Sequence, residues 1–176
     1  MTNACSNSTA CSDQNLPSYS TILSELEGLL KDERDWLVNL ANTSALLNLR
    51  LPRLSWVGFY LWRGGELVLG PFQGKPACVR IKRGRGVCGT AAARRESLVV
   101  PDVHQFPGHI ACDPASASEI VVPLEFGGRQ FGVLDLDAPL KGRFDAADRE
   151  GLEQVVHLLL QRTEWPHDIG EGVPPA

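Results

Sequence analysis

The stretch Glu119–Asp137, EIVVPLEFGGRQFGVLDLD, decides the fold. Two runs rich in apolar, β-branched and aromatic residues flank Gly127-Gly128, and a two-glycine link between such runs signals a tight β-hairpin, because the favoured turns need positive φ at their central residues. The second run ends in Val133-Leu-Asp-Leu-Asp137, and strand side chains alternate between faces. Asp135 and Asp137 therefore share one face, about 7 Å apart, while Leu134 and Leu136 share the other. Two readings of the acid face stay open at this point. It is either a solvated sheet surface or a subsite for a cation such as an ammonium, with one acid kept protonated by its charged neighbour. Glu119, which opens the hairpin behind a long loop, supplies a third acid.

Working outward, Ser55–Arg63 (SWVGFYLWR) and Glu66–Gly70 (ELVLG) flank Gly64-Gly65 and form a second hairpin. A third strand is expected over Ala77–Lys82, then a glycine-rich turn, GRGVCGT, and a short alanine-rich helix ending near Arg95. Leu98–Val100 makes a brief strand. The segment from Asp102 to Ser118 has no period, and an irregular loop of that length in a compact domain is usually functional. Upstream, Ile22, Leu23, Leu26, Leu29 and Leu30 mark a helix over 18–31 with Ser18 as N-cap. A second helix carries Trp36, Leu37, Leu40, Ala41, Leu46 and Leu47 and ends before Pro52. Asp145 and Asp148 open a last helix that Pro166 stops. The expected fold class is α+β: a mostly antiparallel six-stranded sheet, the terminal helices on one face, a short helix and the long loop over a pocket on the other. Residues 1–16 read as a disordered polar tail, 17–166 as a single domain and 167–176 as a C-terminal tail.

The chain has 176 residues, which at roughly 150 residues per domain is one domain. Seventeen Lys and Arg against 21 Asp and Glu give a net charge of −4, so no basic field favours nucleic acid or anionic lipid. A small molecule or another protein is the expected partner. No apolar run reaches the roughly 20 residues of a membrane span, and the polar N-terminus lacks the apolar core of a signal peptide. A cytoplasmic location is expected. The five cysteines fit a reducing compartment, where they read as reactive, metal-binding or simply small core residues.

Cys78, Cys88 and Cys112 lie in three kinds of local structure. Cys78 falls in the phase of Arg80 and Lys82 rather than of Val79 and Ile81, and positive charge favours a thiolate; a buried core thiol is the other reading. Cys88, between Gly86 and Gly89 at a helix mouth, is explained by close packing alone, although backbone N–H groups there can also stabilise a thiolate. Cys112, in the polar loop GHIACDPAS, has the weakest core explanation and is the candidate nucleophile. Zinc held by these cysteines with His104 or His109 is disfavoured, because structural zinc takes ligands in close pairs and these thiols are ten and twenty-four positions apart. No metal is expected on that ground. Cys5 and Cys11 sit in the polar tail.

GPFQGKPACVRI, GRGVCGTAAA, VPDVHQFPGHIACDPASASEIVVPL and GVLDLD, in that order, resemble the free methionine-(R)-sulfoxide reductases, single-domain enzymes of the GAF fold. The likeness runs from about Trp56 to Arg149. It implies a GAF-like architecture and reduction of free L-methionine (R)-S-oxide to L-methionine. By motif, Cys112 looks like the nucleophile, Cys78 like the resolving thiol and Cys88 like an auxiliary thiol, with thioredoxin as reductant and no other cofactor. Glu119, Asp135 and Asp137 match substrate-binding acids, and Trp56 matches an aromatic that packs on the substrate methyl. The expected division puts Glu119 and Asp137 on the sulfoxide oxygen and Asp135 on the ammonium. A homodimer is compatible with the resemblance. The competing class is a non-catalytic GAF module that senses a small molecule or redox state.

Overall fold

In the computed structural model, residues 18–109 and 114–172 are described. Gly127 and Gly128 both have positive φ, 58° and 76°, and they turn β5 (Ser118–Phe126) into β6 (Arg129–Ala138) with Phe126 opposite Arg129 and Glu119 opposite Asp137. Gly64 and Gly65, at 59° and 84°, do the same for β1 (Trp56–Arg63) and β2 (Glu66–Gly74). β1 also pairs with β6, Trp56 opposite Asp137 and Gly58 opposite Asp135, so the two hairpins fuse along their central strands. β3 (Arg80–Lys82) and β4 (Leu98–Val100) complete the path β3-β2-β1-β6-β5-β4, with antiparallel pairing throughout.

Period-two alternation then builds two cores. Val57, Phe59, Leu61, Ile120, Val122, Leu134 and Leu136 face α1 (Tyr19–Leu29), α2 (Trp36–Arg50) and α4 (Ala146–Arg162). Trp56, Tyr60, Trp62, Val121 and Val133 face α3 (Gly86–Arg94), which supplies Val87, Cys88, Ala91 and Ala92. The α+β layering and the antiparallel sheet are as expected. Among the described residues no helix is long and apolar enough to cross a membrane.

Four local expectations need correction. The third strand starts at Arg80, not Ala77; ahead of it only the Val79 carbonyl joins β2, accepting from Leu69 N–H at 3.0 Å. Cys78 therefore lies in a loop, and the strand-phase argument about it does not apply. β2 runs on to Gly74, four residues past its expected end; Pro71 is tolerated because β3 pairs only with residues 66–68 and leaves that edge free. Ser18 does precede α1, but its Oγ lies 2.6 Å from Ser20 Oγ and caps no backbone N–H. Residues 167–172, placed by sequence in the terminal tail, lie against the sheet: Ile169 is fully buried, and β7 (Glu171–Gly172) pairs with Gln130 and Arg129.

α4 begins with the strongest local signal in the chain. Asp145 accepts from the backbone N–H groups of Ala147 and Asp148, and Asp148 accepts in return from Asp145 N–H, a closed capping box. Asp148 also accepts from Arg143 Nη1 at 2.9 Å and from the Tyr19 hydroxyl at 2.8 Å, tying α1 to α4. Arg143 and Asp148 side chains are only 9% and 11% exposed. Removing one partner of such a buried pair strands the other charge and costs about 3–5 kcal/mol. Asp148→Ala is expected to lower the unfolding free energy by about that amount in urea titration; a loss below about 1 kcal/mol, the size of an exposed pair, would contradict this reading.

Candidate active site

On the α3 side of the sheet, the start of β1 and β5 and the adjoining end of β6 are not filled with hydrocarbon. Trp56 and Tyr60 from β1, Glu119 from β5, and Asp135 and Asp137 from β6 line one cavity. Cys88 closes it from α3, and His109, Ser116 and residues 75–77 form its rim. Strand register alone assembles the acids: Glu119 is opposite Asp137, which is two residues from Asp135 on the same face. The solvated-surface reading of this face is excluded, because Asp135 and Glu119 are each only 6% exposed.

The aromatic wall depends on a missing side chain. A Cβ at Gly58 would lie 2.3 Å from Phe72 Cβ and 2.6 Å from Trp56 Cη2, so only glycine lets these rings close over β1. Trp56 stacks between Phe72, at 5.4 Å, and Tyr60, at 5.8 Å between ring centroids. Its indole N–H donates to the Lys75 carbonyl at 3.2 Å, which fixes the ring's orientation.

Electrostatically the site is a cluster of desolvated acids. Cys88 Sγ–H donates to Glu119 Oε1 at 3.8 Å, and His109 Nε2 lies 3.8 Å from Glu119 Oε2. Asp135 Oδ1 is buried with no hydrogen-bond partner among the described residues. Burial, and then the charges of Asp135 and Asp137, push the Glu119 carboxyl well above the usual carboxylate range. Burial pushes Asp135 up to about 7, against the hydrogen bonds of Cys88 and Glu119. Burial and then the facing acids also raise the Cys88 thiol, so the helix-mouth thiolate considered from sequence is outweighed. His109 is shifted toward its neutral form, first by burial and then by His104. The arrangement can hold protons at neutral pH and offer them to a basic oxygen.

Trp56, Cys88, Glu119, Asp135 and Asp137 thus line one cavity. Cys78 is half-buried in the loop before β3, packs on the same core and is disulfide-bonded, whereas Cys88 is a free thiol. Cys112 lies outside the described residues, as do Cys5 and Cys11. Tyr60, Phe72 and Ser116 went unnoticed in the sequence. Tyr60 shares the strand phase of Trp56 and was legible on that ground, whereas Phe72 lay beyond the expected end of β2.

The GAF domain family matches residues 19–162, and the layered sheet with its α3-side cavity is the architecture of that class. The free methionine-R-sulfoxide reductase of Escherichia coli is 54% identical over 141 residues, covering 80% of this chain and 86% of that protein. The enzyme of the same name from Saccharomyces cerevisiae is 44% identical over 146 residues, 78% and 81% of the two chains. The solved free methionine-R-sulfoxide reductase of Neisseria meningitidis, in complex with its substrate, superposes with a TM-score of 0.79 at 48% identity, covering 82% of this chain and 87% of that one. The chain belongs to the free methionine-(R)-sulfoxide reductases, an enzyme family within the GAF domains.

The raised Asp135 carboxyl has a signed consequence. Its proton is bound more tightly in the folded than in the unfolded chain, so its contribution to stability is present at low pH and is lost as pH rises from about 4 to about 7. Asp135→Asn, which cannot ionise, should gain stability over the parent across that interval, by an amount on the order of 1–4 kcal/mol at pH 8. Denaturant titrations at pH 4 and pH 8 test this; a difference that is flat or falls with pH contradicts it.

Proposed function

We propose that this chain reduces free L-methionine (R)-S-oxide to L-methionine, with residues 18–172 as the catalytic domain. The observation that carries the reading is the buried, proton-holding cluster of Glu119 and Asp135 beside the Trp56 ring, lining one cavity. A sulfoxide oxygen is a poor leaving group unless protonated, and a neutral carboxylic acid is the group that protonates it. Glu119 and Asp137 address that oxygen; Asp135, pushed up to about 7, ionises as the substrate ammonium docks and pairs with it, and Trp56 packs on the methyl.

In the proposed cycle the Cys112 thiolate attacks the sulfoxide sulfur. The S–O bond breaks, methionine leaves, and the oxygen with a proton from the acid cluster remains on Cys112 as sulfenic acid. The Cys78 thiol then attacks that sulfur, water leaves, and a disulfide forms; a thioredoxin dithiol reduces it by exchange. Each turnover moves two electrons from thioredoxin to the substrate, and no further cofactor enters. The disulfide on Cys78, with Cys88 a free thiol, supports Cys78 over Cys88 as the resolving residue. Cys88 is auxiliary, holding Glu119 by its S–H. This chemistry suits a reducing cytoplasm, and the reading accommodates a homodimer.

The test offers both epimers of methionine sulfoxide, free and within a peptide, with thioredoxin and its reductase. Consumption of the free R epimer alone is expected, Cys112→Ser should lower turnover at least about a thousandfold, and Asp137→Asn should lower kcat in a chain that still folds. Tight binding of the sulfoxide without turnover would replace this reading with that of a GAF sensor.

A further inference from the structure

One feature of the cavity exceeds what a proton-holding site requires: its polar groups form a soft-metal donor set. Cys88, Glu119 and Asp135 each offer an atom, and these atoms lie within 4.8 Å of one another, all three side chains being buried. His109 Nε2 lies 3.8 Å from Glu119 Oε2, outside that 4.8 Å group. Tetrahedral zinc with ligands at about 2.0–2.3 Å spaces its donor atoms about 3.3–3.8 Å apart. The three donor atoms, within 4.8 Å of one another, need to contract by about 1–1.5 Å to reach that, and His109, which stands outside that group, has to swing toward it by side-chain rotation.

A second observation points to a ligand independently of the cluster. Asp135 lines the cavity, and beyond its contacts with Cys88 and Glu119 inside the cluster its buried Oδ1 has no hydrogen-bond partner among the described residues; an acceptor left so is costly unless something else completes it. Neither Asp135 nor Glu119 is paired with an arginine or lysine among the described residues. The missing partner is a donor or a cation brought from outside: the substrate ammonium in the reading above, and a metal ion when no substrate is bound. The sulfur ligand argues against magnesium and calcium, which take oxygen, and a thiolate–carboxylate–imidazole set is a zinc set.

We propose that the reductase cavity is also a zinc site, formed by Cys88, Glu119 and Asp135 with His109 as fourth ligand, and that zinc and the substrate amino acid exclude one another. As the metal enters, the Cys88 thiol and the carboxyls release their protons to solvent, and bonds from zinc to sulfur and oxygen form in their place. It shares only Cys88 and His109 with the cysteine and histidine set weighed from sequence, and two acids on adjacent strands replace the distant cysteines. The exclusion clause rests on the functional reading above; the binding clause does not.

The experiment uses the full chain carrying Cys5→Ser and Cys11→Ser, kept free of thiol reductant so that the Cys78 disulfide persists. Zinc binding is followed by competition with a chromophoric zinc indicator, and Cd2+ is added as a spectroscopic surrogate whose thiolate bond gives a charge-transfer band in the ultraviolet. One zinc per chain is expected. The cadmium band should vanish in Cys88→Ser and persist in Cys112→Ser, and Cys88→Ser and Glu119→Gln should each weaken zinc at least tenfold. Should Cys88→Ser not fold, Glu119→Gln and His109→Ala read the same affinity. Free methionine sulfoxide should displace the metal. No stoichiometric binding, a band that survives Cys88→Ser, or affinity unmoved by the acid and histidine variants overturns the site. Zinc binding without sulfoxide turnover sinks the reductase reading alone, and turnover without zinc binding sinks this inference alone.

Discussion

The architecture of the site depends on the desolvation of three ionisable groups, Glu119, Asp135 and Cys88, none of which is ion-paired with an arginine or lysine among the described residues. Glu119, Asp135 and Cys88 are buried between the sheet and α3, and a lone charge there is unfavourable by several kcal/mol. The protein meets that constraint by keeping protons on the groups rather than by pairing them. Each feature around the cavity serves this condition. β5 and β6 fix the acids opposite one another, α3 excludes water from above, and the Trp56 stack walls off one side.

The same constraint links fold to chemistry. Two sheet faces made of the same strands carry different contents, because one is covered by three amphipathic helices and the other by a single short helix and a loop. The first packs as hydrocarbon. The second leaves a space at the strand ends where the acids of β5 and β6 meet the Trp56 ring of β1, suited to a small zwitterion with an apolar methyl group. An acid cluster that shares protons is also a set of metal donors once those protons leave, so substrate recognition and soft-metal affinity arise from one arrangement.

Much of this was legible before any coordinates. The Gly-Gly pairs named both hairpins, and the alternation in Val133-Leu-Asp-Leu-Asp137 placed the two aspartates on one face and the leucines on the other. What alternation cannot show is whether a face is covered. Asp135 became a buried acid only because α3 and the loop lie over it, and such coverage follows from tertiary packing rather than from local pattern. For the same reason Phe72 escaped notice, since its role requires β2 to continue past Pro71 and Gly58 to leave room. Cys78 was misplaced onto a strand because the apolar phase of Ala77, Val79 and Ile81 reads as one, whereas only Arg80–Lys82 pair with β2.

The central claim is that the folded protein holds carboxylic acid protons in this cavity at neutral pH. Infrared difference spectroscopy in heavy water at pH 7, comparing the parent chain with Glu119→Gln and Asp135→Asn, reads this directly through the C=O stretch of protonated carboxyl groups. The account predicts such a band in the parent that is diminished in each variant. A parent spectrum containing only ionised carboxylate bands would contradict it.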